Sequence, residues 1–494
     1  MTRASVLFLS VVLGGGVVPL AQAASPPPAT AARTAQPPVT MEDGLRQVID
    51  EALSANLELR ASGATVQQRL AALDQARARY LPVIDFAARY SVADGGRTIE
   101  FPVGDLLNPV YETLDQMLVA QGQAAQFPRV QNESIAFLRD QEQETKLVLE
   151  QPLYEPRIGP AVDATRADAA RAAADLAALR SQVIRDVKQA YYRWIAARQA
   201  VTVLDATLEA TRANLKANDS LYRNGKVTRD LVYRAEADVL EVEQERLATA
   251  SRVRIAQSYV NLLRNAPLPQ PLPNAALDAE TIERFRARLL AVLAGRQVDA
   301  PKLQDLASQR REELKSLDAA IAVGEARQNL ARAAFKPSLA FGAEAGIQGT
   351  DYGFADEDRY VLASLVLRFN AFRGGADQAA LREARALTDQ LRATRELAGQ
   401  RVRLEVQQAL ENFEVAEASL DTAAKRAEAA AGAFTITSRK RDLGQINQAE
   451  FIDARRAQTD AQLNVTRVRA EYLARLAELE FSIGDARRME QERM

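Results

Sequence analysis

The sequence predicts a mostly α-helical protein that carries a few β-strands and is built as a duplicated unit. Two long stretches almost free of glycine and proline are typical of long helices. Short runs of alternating apolar residues are typical of strands, and segments that recur at fixed offsets indicate an internal repeat. With 494 residues, the chain also exceeds what a single compact core usually holds.

The composition excludes several classes of function. The chain has 63 basic and 65 acidic residues, a formal charge of -2, and neither cysteine nor histidine. It therefore cannot supply thiolate nucleophiles, imidazole bases, disulfides or the usual zinc ligands. The near-neutral charge gives no reason to expect nucleic acid as a partner. We predict no enzyme, no metal site and no cofactor; a hydrolase that uses carboxylates alone stays open as an alternative.

The first 40 residues predict export. Met1–Thr2–Arg3 precedes a short apolar run that ends in the small-x-small pattern Ala21–Gln22–Ala23. This is typical of a secretory signal peptide over residues 1–23, with an uncleaved membrane anchor as the alternative. Residues 24–40 are rich in proline, alanine and threonine and predict a disordered leader. No later segment approaches the ~20 apolar residues of a membrane-spanning helix.

Two sets of matches indicate that the chain is a doubled unit. Ala76–Pro82 recurs as Ala331–Pro337 at an offset of 255, whereas Gly225 and Gly444 are related by an offset of 219. The difference requires an insertion in the first copy, and residues 98–143 supply it. The predicted divisions are a first repeat over 41–266, a linker over 267–301 that begins rich in proline, a second repeat over 302–484 and a tail over 485–494.

A Tyr/Phe-x-Pro sequence ends the opening helix of each repeat and leads into strands. Ile84, Phe86 and Tyr90 alternate with polar residues such as Asp85 and Arg89. This alternation is typical of a half-buried soluble sheet, and equally of a barrel wall between lipid and water. The predicted strands cover about 82–96 and 144–153 in the first repeat, and about 338–348 and 359–370 in the second.

Each repeat then continues with a very long helix, a tight turn and a shorter helix. Ala161 to Asn224 has no glycine or proline over 64 residues, about 96 Å at ~1.5 Å per residue. Ala376 to Leu443 is the equivalent stretch, interrupted by two glycines. Apolar residues on both recur every 3.5 residues, which predicts coiled-coil packing. Examples are Val183, Val187, Ala190 and Trp194, and Val402, Val406, Ala409 and Phe413.

The length of these helices favours the barrel over the soluble sheet. Helices of about 96 Å are far too long to cover four soluble strands, and about ten residues suffice for a tilted strand to cross a bilayer. Four strands cannot close a barrel, and an open edge is not tolerated in hydrocarbon. Two copies would give eight strands with a filled interior, whereas three would give an open lumen. We predict a homotrimer with a 12-stranded membrane β-barrel that continues as a coiled-coil periplasmic tunnel.

Several short motifs occur in this duplicated order. They are Leu45, Ile49, Ala52 and Leu53 in the opening helix, Tyr80–Leu81–Pro82, Gln151–Pro152–Leu153–Tyr154, Phe372–Arg373–Gly374–Gly375, and the turn glycines Gly225 and Gly444 with an alanine ten residues on. From about Met41 to Gly484 the chain resembles the TolC-like outer-membrane efflux protein family. The resemblance implies a passive outer-membrane duct that extends into the periplasm. It would dock on a periplasmic adaptor and an inner-membrane pump, in a tripartite efflux or type I secretion system.

The chain departs from that family in two respects. Many members carry a lipid-modified cysteine, which this sequence lacks. The insertion over 98–143 is longer than most hairpin loops of the family. Residues 101–109 predict an ordered loop, and Val110–Gln121 predicts a helix. We expect the insertion on the extracellular side.

The resemblance also assigns candidate site residues. Six residues beside the two turns would form the tip that meets the adaptor: Gly225, Val227, Thr228, Gly444, Ile446 and Asn447. Glu450 and Asp453 lie one helical turn apart on one face. In a trimer they would form two stacked carboxylate rings at the pore aperture and favour cations, with a solvated surface pair as the alternative. The first repeat has no equivalent pair.

An alternative function is a structural periplasmic coiled-coil tether or an adaptor protein. It would account for the export signal and the long helices, but not for the paired strands. Trp194 and Phe413 lie on the coiled-coil seams and are predicted to be core residues rather than ligand contacts.

Overall fold

The computed structural model describes residues 40–292, 299–353 and 355–485. The predicted signal peptide, the leader except its last residue, and the tail except its first residue lie outside the described residues. Within them the protein is mostly helical, as predicted. Both repeats follow the predicted order of helix, two strands, very long helix and shorter helix.

The first repeat opens with two helices rather than one, because Asn56 interrupts them. The Asn56 side chain caps the second helix by accepting from the backbone N–H groups of Glu58 and Leu59 at 2.9 and 3.0 Å. The elements are α1 (Met41–Ala55), α2 (Leu57–Ala78), β1 (Val83–Val92), β2 (Thr98–Phe101), α3 (Val103–Ala120), β3 (Glu133–Ala136), β4 (Gln141–Tyr154), α4 (Ile158–Arg223) and α5 (Arg229–Leu263).

The second repeat lacks the insertion, and its long and returning helices nearly match those of the first repeat in length. Its long helix has 67 residues against 66 in the first repeat, and the returning helix has 35 in both. The linker predicted over 267–301 contains a helix of its own, α6 (Ala279–Val292). The remaining elements are α7 (Ala300–Arg310), α8 (Glu312–Ala333), β5 (Ser338–Gly349), a 3₁₀ turn (Asp356–Asp358), β6 (Arg359–Arg368), α9 (Ala376–Asp442) and α10 (Gln448–Ser482).

The insertion contains a longer helix than predicted, and this corrects the sequence interpretation. α3 starts at Val103, inside the residues 101–109 that were expected to form a loop. Asn132 holds its first turn, because the Asn132 side chain accepts from the Asp105 N–H at 3.1 Å and donates to the Asp105 carboxylate at 2.9 Å. The start of this helix therefore depends on a residue that follows it by more than 20 positions.

The four long strands form one antiparallel sheet in the order β1–β4–β5–β6. β4 begins at Gln141 rather than at the predicted position 144, because Gln141 pairs with Val92 of β1. The central strands β4 and β5 come from different repeats, so the sheet joins the two copies. β1 and β6 are edge strands that pair on one side only. β2, α3 and β3 extend from the end of the sheet opposite to the end where α2 and α4 join it.

α4 lies at the centre of the helical part. It packs against α2 and α8 near the sheet, and against α5 and α10 further along. The main core lies where the middle of α4 meets α1 and α10, and it includes the fully buried Tyr191, Tyr472 and Leu473. Trp194 and Phe413, predicted to be core residues, are 3% and 5% exposed. In the part of the chain that the structure describes, no helix combines the length and apolar character needed to span a membrane.

Candidate functional site: the tip of the helical part

The two long helices end in turns of the same geometry. Gly225, after α4, has φ of +67°, and its N–H donates to the Tyr222 carbonyl at 2.9 Å. Gly444, after α9, has φ of +69°, and its N–H donates to the Arg441 carbonyl at 2.8 Å. A positive φ of this kind is strained for residues that carry a Cβ. Glycine therefore closes both helices and reverses the chain within a few residues.

The other predicted tip residues flank these turns. Val227 and Ile446 are half-buried, whereas Thr228 and Asn447 are exposed and precede α5 and α10 as N-cap residues. The Asn447 side chain accepts from the Glu450 N–H at 2.9 Å and donates to the Glu450 carboxylate at 3.0 Å. All six residues thus lie at the end of the helical part that is opposite to the sheet.

Glu450 and Asp453 are both exposed near the start of α10. Between them, Phe451 is buried against α9, with its ring 5.6 Å from the Phe434 ring and 4.0 Å from the Arg441 guanidinium. This contact fixes the orientation of α10 at the tip. Because Phe451 faces α9, the two carboxylates face away from it and reach the surface together.

A buried ion pair lies behind the tip, and sequence reasoning missed it. Asp238 of α5 and Arg455 of α10 are 2.5 Å apart, and their side chains are 2% and 5% exposed. The second carboxylate oxygen of Asp238 and the Nε of Arg455 have no hydrogen-bond partner among the described residues. Burial raises the pKa of Asp238 above its usual range, and the charge of Arg455 opposes this rise only in part. The sequence does contain one sign of this pair, because Asp238 stands directly before Val239 on the apolar seam of α5.

Further polar contacts join α10 to the first repeat at the height of the main core. Lys188 of α4 donates to Glu480 at 2.9 Å, and both side chains are nearly buried. Beside this pair, Gln189 donates to Glu478 at 2.7 Å. α10 is therefore held against the first repeat at two separate heights, so the two helical hairpins form one continuous wall.

The surface of the tip combines the two turns with the carboxylate pair. Across 40–292, 299–353 and 355–485, no three His, Cys, Asp or Glu side chains gather in an arrangement that could hold a metal ion. What the geometry presents is two exposed turns with half-buried aliphatic side chains, beside one pair of exposed carboxylates. Such a surface can bind a protein partner or attract cations.

Comparison with known proteins agrees with this geometry. Among solved structures, the CmeC outer membrane channel of Campylobacter jejuni is 15% identical, with a TM-score of 0.70 over 90% of this chain and 86% of that one. VceC of Vibrio cholerae is 15% identical, with a TM-score of 0.68 over 89% and 96%. The MtrE channel of Neisseria gonorrhoeae in its open state is 18% identical, with a TM-score of 0.68 over 90% and 89%. No curated protein matches the sequence.

At these identities the structural likeness establishes the fold, and the assignment of a family depends on the sequence itself. The sequence model of the outer membrane efflux protein family matches residues 48–266 and 303–485, which is most of the chain. The resemblance inferred from the motifs is thereby confirmed. This protein belongs to the outer membrane efflux protein family and is a channel component of the outer membrane.

Proposed function

We propose that three copies of this chain assemble into a passive export duct. Its 12-stranded barrel would cross the outer membrane, and its helical tunnel would extend into the periplasm, where it would meet an adaptor and an inner-membrane pump. The duct would carry out no chemistry of its own. The observation that carries this proposal is that a single chain leaves both its sheet and its helical wall unfinished on two sides.

The sheet supports assembly because of its edges and its apolar face. β1 and β6 each have one unpaired edge, and such an edge is not tolerated in hydrocarbon. Large apolar side chains on one face of the sheet are exposed, among them Phe86, Val361 and Leu365 at 69%, 82% and 65%. Lipid would cover this face, and β6 of one copy would pair with β1 of the next.

The helical wall supports the same assembly. α5 carries an exposed apolar stripe at intervals of seven or eight residues, on the side opposite to its contact with α4. α9 carries a similar stripe opposite to its contact with α10. Stripes at this spacing are coiled-coil seams in need of a partner helix. The α5 stripe is Tyr233, Leu240, Leu247, Ile255 and Leu262, and the α9 stripe includes Leu397, Leu404, Val415 and Ile436.

The tip would serve as the docking and gating end of the duct. The turns at Gly225 and Gly444, with Val227, Thr228, Ile446 and Asn447 beside them, would contact the adaptor. Glu450 and Asp453 would form two carboxylate rings that narrow the aperture and favour cations. Their common exposure on one face of α10 supports this role.

Cross-linking tests the assembly directly, since the natural chain has no cysteine. A variant with one cysteine in β1 and one in β6 should form disulfides between different copies and give a trimer ladder in a denaturing gel. The matched control is the double variant Leu149→Cys with Ala343→Cys, because these residues are paired within one chain and should link without a change of mass. A mature protein that stays monomeric in buffer without detergent would contradict the proposal and favour the periplasmic tether.

Conductance in planar bilayers tests the aperture. The double variant Glu450→Ala with Asp453→Ala should raise conductance and weaken cation preference, because six carboxylates leave the narrowest point. Asp230→Ala, at the tip of the first repeat, removes an exposed carboxylate outside the proposed rings and should leave both quantities unchanged. Unchanged conductance in the double variant would mean that these residues do not line the aperture.

A further inference from the structure

The second face of the sheet carries a continuous network of charged side chains. Lys146 of β4 lies 3.1 Å from the Glu144 carboxylate and 3.1 Å from the Glu344 carboxylate of β5. Arg89 of β1 lies 3.6 Å from Glu144 and 3.8 Å from Glu142. We call these five residues the charged belt. Lys146 is its centre, because it alone joins the acids of two strands from different repeats.

A glycine lets the belt cross β5. Gly346 is paired with Lys146 on one side and with Tyr360 of β6 on the other. A Cβ at position 346 would lie 2.5 Å from the Thr145 carbonyl oxygen and 2.7 Å from the Lys146 Cβ, so no larger residue fits. Across this gap the Tyr360 hydroxyl donates to the Glu144 carboxylate at 3.4 Å. The polar contacts therefore extend over all four strands.

The position of the belt follows from the alternation of the strands. Phe86 and Leu147 are paired on the apolar face, whereas Arg89 and Glu144 are paired on the other. Charged groups are costly in hydrocarbon, so in the proposed barrel the belt faces the lumen. It lies near the end of the sheet from which the insertion extends. Because Arg89 is on one edge strand and Tyr360 on the other, neighbouring copies would continue the belt around the wall.

We infer that the charged belt sets the ion preference of the barrel, and that Lys146 is its specificity-determining residue. Three carboxylates against two cations leave each chain with one net negative charge in the belt, and three chains make a weakly cation-preferring ring. Lys146 keeps the preference weak by neutralising the acids on both sides of it. This inference rests on the proposed function, since the belt can act on ions only if the barrel is open.

Reversal potentials in a tenfold KCl gradient test the inference. The measurement uses the full chain with Glu450→Ala and Asp453→Ala, so that the aperture does not mask the barrel. Lys146→Gln doubles the net negative charge of the belt in each chain and should raise the potassium-to-chloride permeability ratio about twofold or more. Glu344→Gln leaves the belt neutral and should lower the ratio. Lys146→Arg keeps the charge and should leave the ratio unchanged.

The control is Arg129→Gln, which removes one positive charge from an exposed side chain of the insertion, outside the barrel wall. It should not shift the reversal potential. Equal permeability ratios in Lys146→Gln, Glu344→Gln and the parent would overturn the role of the belt while leaving the duct intact. A parent protein that forms no conducting pores would instead overturn the proposed function. If Lys146→Gln does not form trimers, Glu344→Gln decides the question, because it neutralises a more exposed side chain of nearly unchanged size.

Discussion

The four helices near the tip differ in how much of their surface the chain itself covers. In α4, 20 of 66 residues are buried, and in α10, 16 of 35. In α9 only 8 of 67 are buried, and in α5 only 7 of 35. The inner helices α4 and α10 come from different repeats and pack against each other, so each has a neighbour on both sides. Near the tip the outer helices α5 and α9 each pack mainly against the other helix of their own hairpin, and their free sides carry the apolar stripes.

The contrast between the inner and the outer helices follows from the duplication. Two copies of one hairpin packed side by side make two inner helices that are complete and two outer helices that are not. A soluble two-repeat bundle would hide the outer stripes by closing on itself. Here the stripes remain open at both flanks, where neighbouring copies in the proposed trimer would cover them. Substitutions in the inner and in the outer helices should therefore have separable effects.

The largest effect is expected where the inner helix α10 meets α5. Asp238→Ala leaves Arg455 as a buried charge without its partner, and this should destabilise the packing by about 3–5 kcal/mol. Hydrogen exchange of the segments on either side of the tip measures the loss. Arg234→Ala on the same helix as Asp238 is the control, because Arg234 is 60% exposed in its ion pair with Asp230, and removal of a surface ion pair should cost less than about 1 kcal/mol. Equal effects of both variants would mean that the buried pair does not hold the hairpins together.

The same carboxyl predicts a pH dependence. Burial raises the pKa of Asp238 in the folded chain above its ordinary value of 3.8. The folded chain therefore keeps this proton at a pH where the unfolded chain has lost it. The resulting stability is complete below the unfolded pKa and is lost as the pH rises through the folded pKa. Amide hydrogen exchange at the tip should accelerate with rising pH by more than the intrinsic exchange rate does. Asp238→Asn should remove this additional acceleration.

The next effect concerns the outer helices. Leu247→Glu places a charge in the α5 stripe, and each copy would lose about 1.5–3 kcal/mol of apolar burial at the subunit contact. The trimer should dissociate at a lower temperature, while the fold of each chain stays intact. Ala248→Glu introduces the same charge at the next exposed position and should have a smaller effect. Migration of unheated and heated samples in a mild-detergent gel measures both, and a trimer that tolerates Leu247→Glu would place the contact elsewhere.

The smallest effect distinguishes two tyrosines of the inner helices. Tyr191 and Tyr472 are both fully buried, and burial raises the pKa of each to about 12. The Tyr191 hydroxyl donates to the Pro273 carbonyl at 3.0 Å, whereas the Tyr472 hydroxyl has no partner among the described residues. Tyr191→Phe should therefore cost about 1–2 kcal/mol, and Tyr472→Phe should be neutral or slightly stabilising. Unfolding in denaturant measures both, and similar losses would contradict the difference.

Within the candidate site, the residues predicted from the sequence are those that depend on local structure. Gly225 and Gly444 were predicted because a helix that must reverse requires a backbone with positive φ, and both positions have it. Glu450 and Asp453 were predicted to share a face because helical spacing fixes it, and both are exposed. Asp238 was missed because its partner Arg455 is 217 residues away, and no local pattern specifies that distance.

The sequence by itself determined the duplication, the helix lengths and the two-faced strands, because backbone periodicity and glycine placement act over a few residues. It did not determine the start of α3, which Asn132 holds from outside the helix. Only the tertiary structure decided that α4 and α10 are the inner helices. Only it decided, too, that Lys146 and the Tyr360 hydroxyl both contact Glu144, with Gly346 between Lys146 and Tyr360 in the sheet. Such contacts join segments that are distant in the sequence, so they depend on how whole hairpins dock and not on the pattern within any one of them.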